Sequence, residues 1–96
     1  MRNTFTILRD LLDEPSPAVA RFDAHTEWTP EALEAAYPVR FKLYDDDGEL
    51  YFCGRAVSVD AVEDAHDWGT WYAGTTTSRY MDDRGAWQPF IGYGKT

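Results

Sequence analysis

The sequence predicts an α+β domain in which two N-terminal helices pack on a small, mainly antiparallel four-stranded sheet. Three observations carry that expectation. Apolar residues recur at three-and-four spacing near the N-terminus, the spacing changes to two after Pro38, and two acid-rich turns ending in glycine separate β-prone segments in the second half.

The first helix is expected over Thr4 to Glu14, where Phe5, Leu8 and Leu12, flanked by Ile7 and Leu11, alternate with Arg9, Asp10 and Asp13. Pro15-Ser16-Pro17 ends it, because each proline removes a backbone donor and disfavours helix in the residue before it. A second helix starts at Thr29-Pro30-Glu31. Thr29 can accept from the free backbone N–H groups, Pro30 suits the first helical position, and Glu31 and Glu34 complement the positive helix end. It runs to about Tyr37 and stops before Pro38.

From Val39 the period is two: Val39, Phe41 and Leu43 alternate with Arg40, Lys42 and Tyr44, the pattern of a half-buried strand. Asp45-Asp46-Asp47-Gly48 forms a hairpin turn, since Asp favours turn positions and Gly supplies positive φ, and Glu49 to Val57 returns as a strand. Asp60 to Trp68 reads as one or two acidic helical turns, and Gly69 to Gly74 as a loop carrying Trp71 and Tyr72. Thr75 to Met81 is a third strand, Asp82-Asp83-Arg84-Gly85 a second turn, and Ala86 to Ile91 a last strand that Pro89 confines to an edge. No linker or low-complexity tract interrupts the chain, so residues 1–96 read as one domain with a helical part, 1–38, and a sheet part, 39–96.

Composition narrows the function classes. Apolar residues make up 44% and aromatic residues 16% of the chain, too much large apolar surface for a disordered segment. No apolar run is long enough for a signal-peptide core or a membrane span, and the single cysteine, Cys53, makes no disulfide framework, so a cytoplasmic location is expected. The net charge of −8 argues against direct contact with nucleic acid or anionic lipid, because phosphate binding needs clustered Lys and Arg. Between Asp45 and Asp67 the acids Asp45, Asp46, Asp47, Glu49, Asp60, Glu63, Asp64 and Asp67 face one base, Arg55.

No pattern in the chain diagnoses a catalytic or cofactor site. Placing Gly48 at the sixth position of a calcium loop puts Leu43 first and Gly54 twelfth, where acids are needed. His25 and His66 are the only histidines. His66 has Glu63, Asp64 and Asp67 as neighbours, which raises a hydrolase with His66 as base, but no HExxH or Cys/His spacing accompanies it. Cys53 is expected to pack as a small apolar residue, since its surroundings in the chain are acidic and a nucleophilic thiolate needs an electropositive setting. No GxGxxG or GxxxxGK[ST] occurs, so no nucleotide motif is present, and no cofactor is expected.

The stretch from Phe41 through Asp45-Asp46-Asp47-Gly48 to Gly54, then Asp67-Trp68-Gly69, Ala73-Gly74-Thr75-Thr76 and Trp87-Gln88-Pro89-Phe90, resembles small uncharacterised bacterial proteins. They share an acidic-turn hairpin, a D-x-G…A-G-x-T loop and a final W-x-x-aromatic strand. The resemblance covers about residues 39 to 90 and implies a sheet-centred domain; it carries over no ligand or catalytic residue.

Charge and aromatic content together point to a non-enzymatic inhibitor of a basic, nucleic-acid-handling protein, of the anti-CRISPR, anti-restriction or immunity-protein type made by phages, mobile elements and bacteria. Its partner-binding residues are expected to be the eight acids above with Trp68, Trp71 and Tyr72 as aromatic anchors. An accessory subunit pairing an edge strand near Trp87 to Ile91 with a larger assembly is the other interaction reading.

Overall fold

The structure, a computed structural model, describes residues 4–11 and 28–90. Its elements run β1 (Phe5–Asp10), α1 (Pro30–Ala36), β2 (Val39–Tyr44), β3 (Leu50–Ala56), α2 (Val62–Ala73), β4 (Thr77–Met81) and β5 (Trp87–Pro89). The class is α+β, but the arrangement departs from the expected two N-terminal helices on four strands. The sheet has five strands in the order β1-β3-β2-β4-β5, every neighbouring pair antiparallel, and the first element is a strand.

The helix expected from Thr4 is β1, which pairs with β3 from Phe5↔Ala56 to Asp10↔Phe52. A register shift between Ile7 and Arg9 explains the misreading. Phe5 and Ile7 follow the period of two, and the extra residue at Leu8 then breaks it, so that a bulged strand mimics helical spacing. Local propensity favours the strand: Thr4-Phe5-Thr6-Ile7 is all aromatic or β-branched. The Pro15-Ser16-Pro17 stop lies outside the described residues.

α1 forms where expected. Thr29 Oγ1 accepts from the Ala32 N–H at 3.1 Å, with Pro30 at the first position. Yet none of the residues of α1 is buried, and its Glu34 and its C-cap residue act on Arg55 of β3. Tyr37, which follows it, is 1% exposed, and its carbonyl accepts from Arg55 Nε at 2.8 Å.

The helix that covers the sheet is α2. It spans twelve residues, including the stretch expected as a loop, and presents Val62, Ala65, His66, Trp68 and Gly69 to the sheet. The core beneath it joins Phe5 and Ile7 of β1, Phe41 and Leu43 of β2, and Phe52 and Ala56 of β3, with Phe90 closing the cluster. Trp68 stands edge-on to Phe52, ring centres 4.8 Å apart, and leans on Phe5 at 6.1 Å. Gly69, expected to begin a loop, sits inside α2 for a packing reason. A Cβ there would collide with Thr75 Oγ1 and press on Leu43 Cδ1, so its absence sets how closely α2 approaches the sheet. The helix ends five residues later at Gly74, φ +76°, whose N–H reaches back to the Thr70 carbonyl at 3.1 Å.

Both expected turns are present and share one construction. Asp45 Oδ1 accepts from the N–H groups of Asp47 (2.9 Å) and Glu49 (2.8 Å), and Asp82 Oδ1 accepts from those of Arg84 and Ala86, both at 2.9 Å. Gly48 and Gly85 follow at φ +85° and +81°. Each aspartate thus satisfies the backbone of its own turn.

Candidate functional site

The acidic residues follow the polarity of α2. Its inward positions are apolar or spent on the sheet, and the residues that remain, Glu63, Asp67 and Trp71, recur four apart along the outer face. Asp60 precedes the helix on the same exposed side, and Asp64 accepts from Thr4 Oγ1 at 2.6 Å. At about 1.5 Å per residue the stripe from Glu63 to Trp71 runs about 12 Å along α2, whose axis leads from the Thr4 end of the sheet to the Tyr44 end, where the Thr76 N–H meets the Tyr44 carbonyl at 2.9 Å.

The expected aromatic anchors separate into two kinds. Trp71 is 83% exposed and Tyr72 47%, both on the last turn of α2 rather than in a loop. Trp68 is 6% exposed and belongs to the core, so it is not a surface anchor; Tyr72 leans on its ring at 5.7 Å. The turn acids also divide. The carboxylate of Asp45 is committed to its turn, whereas Asp46, Asp47 and Glu49 are exposed at the same end of the sheet as Trp71.

His66 faces inward, away from Asp67. Its Nδ1 lies 2.6 Å from Ser78 Oγ, and Ser78 is 1% exposed, so the pair ties α2 to β4 beneath the surface. Burial pushes the His66 pKa below 6.5 against the opposing pull of Asp67 and Glu63, which keeps the imidazole neutral at pH 7. A general base must reach its substrate, and this geometry gives His66 a packing and hydrogen-bonding role. Among the described residues no three His, Cys, Asp or Glu side chains converge on a point that would hold a metal ion, and no helix is long and apolar enough to cross a membrane.

The other face of the sheet carries a cluster that sequence reading missed. Strand register places Arg9 opposite Cys53, Cys53 opposite Lys42, and Lys42 opposite Arg79, with Arg40 and Arg55 directly opposed in the next row. Five of the nine Lys and Arg residues of this acidic chain therefore stand on one face. Among the described residues, Glu34 of α1 is a carboxylate that acts on one of the five, Arg55. Lys42 Nζ rests 4.4 Å from the Trp87 ring centre, and the Arg79 guanidinium lies 6.0 Å from that of Tyr44. Arg9, Arg40, Lys42, Arg55, Cys53 and Trp87 line a depression of about 300 Å³.

Cys53, expected in acidic surroundings, lies instead between Arg9 and Lys42. Directly opposed like charges destabilise an antiparallel pair, by about 0.2–1 kcal/mol, so Arg40↔Arg55 is a cost to folding. Burial and then Arg40 lower the Arg55 pKa, with Glu34 opposing, yet an arginine remains charged at any physiological pH. The signal available in sequence was the alternation of Arg40 and Lys42 with Val39, Phe41 and Leu43; Arg9, Arg55 and Arg79 join them only through register.

A wider depression of about 690 Å³ lies by Pro38, Tyr80 and the second turn. One of its acids, Asp82, is held below its ordinary pKa by the Ala86 N–H, the Gln88 side-chain amide and the Arg84 N–H, and is occupied in holding that turn.

Compared with protein-family models, curated proteins and solved structures, the chain matches none.

Proposed function

We propose that this chain is a non-enzymatic binding protein that docks the outer face of α2 on a basic, nucleic-acid-handling partner and so blocks it. One observation carries the reading: Trp71, 83% exposed, ends a helical stripe of Glu63 and Asp67 whose other side is fixed in the core. A large exposed indole on a rigid helix is the kind of anchor that dominates binding energy when a partner pocket covers it. The acids around it steer the approach to a Lys/Arg-lined groove and set the association rate. Asp46, Asp47 and Glu49 extend the negative surface at the Trp71 end.

The test uses folded protein immobilised against lysate, with captured proteins quantified by mass spectrometry at low and at high salt. A basic partner retained by the native chain is expected to bind Trp71→Ala about thirtyfold more weakly, the equivalent of about 2 kcal/mol. Glu63→Lys combined with Asp67→Lys slows its association and weakens the salt dependence. A partner held equally well by both variants, with their folds intact, removes this reading.

A further inference from the structure

We infer that the depression on the face of the sheet opposite α2 is a binding site for a small phosphomonoester bearing a flat ring, of the size of a nucleoside monophosphate. The inference concerns the face opposite α2 and stands independently of the partner proposed for that helix.

Four cations from three strands, Arg9, Arg40, Lys42 and Arg55, line one concavity that has no carboxylate among its described lining residues, and Glu34 of α1 acts on Arg55 from outside it. Arg55 is 8% exposed, with Nε fixed by the Tyr37 carbonyl at 2.8 Å, so one guanidinium is held in place before any ligand arrives. Arg40 stands directly across from it. A fold selected for stability alone replaces one member of such a pair, whereas an anion between them turns mutual repulsion into shared attraction. Two guanidinium groups present planar N–H forks that match phosphate oxygens, and Lys42 adds a mobile point charge.

The remaining wall is Trp87, on an edge strand, with Lys42 over its ring at 4.4 Å. It offers a flat apolar surface beside the cations. The volume of about 300 Å³ lies at the lower limit of small-ligand pockets, which suits a mononucleotide-sized molecule.

The acids of α2 do not oppose this. They lie beyond the sheet and on the far side of a helix about 10 Å across, a separation greater than the screening length of about 8 Å at physiological ionic strength. The absence of a glycine-rich phosphate loop does not oppose it either, because side-chain cations here replace the backbone N–H groups such a loop supplies.

Cys53, the only cysteine, reports on the site without modification, since it lies between Arg9 and Lys42. The experiment follows its alkylation by a neutral reagent, with calorimetric titration in parallel, against inorganic phosphate, adenosine monophosphate, adenosine and a short oligothymidylate. Phosphate and the monophosphate are expected to protect Cys53 and to release heat, the monophosphate more tightly, while adenosine does neither. Arg40→Gln, an exposed substitution, is expected to weaken the monophosphate about tenfold or more, the loss of one charge-assisted contact. Arg84→Gln, on the second turn, leaves binding unchanged. Failure of both phosphate and monophosphate to bind at low salt overturns the inference, as does equal binding by Arg40→Gln. Protection by the oligonucleotide alone also overturns it, and assigns the face to single-stranded nucleic acid instead.

Discussion

The two faces of the sheet use their side chains in opposite ways. Under α2, each inward residue has an apolar or hydrogen-bonded neighbour: Trp68 against Phe52 and Phe5, His66 on Ser78, Gly69 in the space beside Thr75. On the other face, Arg40 opposes Arg55, and the remaining cations rest on aromatic rings or line a depression. The same five strands thus carry one surface organised for stability and one that gives some of it up. A net charge of −8 conceals this, because it sums an acidic helix exterior with a basic sheet exterior.

The contrast is open to measurement by chemical denaturation. Trp68→Ala is expected to cost about 3–5 kcal/mol, because it empties the centre of the core. Gly69→Ala gains about 1 kcal/mol in helix propensity but forces contact with Thr75, which is fully buried, and with Leu43; a net loss of about 1–2 kcal/mol is expected. A stabilised Gly69→Ala protein would show that the helix-sheet spacing is not set by that glycine.

His66 adds a pH signature. Its folded pKa lies below the ordinary 6.5, so the unfolded chain takes up the proton more readily. The stability it contributes is complete above 6.5 and is lost as the pH falls toward the lowered folded value. The midpoint of unfolding should therefore drop below pH 6.5 in the native chain and drop less in His66→Gln. The smallest effect belongs to the open face: Arg40→Thr should leave stability unchanged or raise it by up to about 1 kcal/mol, because it removes a repulsion. A clear loss there would place Arg40 among the stabilising residues and end the contrast.

What could be read from sequence was local. Thr29-Pro30 marks the start of α1, and the two Asp-to-Gly turns fix their hairpins through contacts spanning four residues. β1 was hidden because its bulge replaces a period of two with spacing that imitates a helix. The length of α2 was hidden because Gly69 has two readings, loop residue and close-packing residue, and only the neighbours Thr75 and Leu43 decide between them. Of the expected binding surface, Glu63, Asp67 and Trp71 fall on one stripe, while Trp68 turns inward and Asp45 serves its turn. The basic face needed strand register, a non-local property, since Arg9 and Arg79 are seventy residues apart in the chain.

The two edges of the sheet constrain how the domain can meet other molecules. β1 is bulged between Ile7 and Arg9, and β5 is three residues long with Pro89 at its end, lacking an N–H to donate. Neither offers an incoming strand a straight row of backbone donors and acceptors. Among the described residues, both edges of the five-stranded ladder are thus interrupted. On both faces of the sheet the projecting side chains can therefore change singly without disturbing the backbone ladder beneath them.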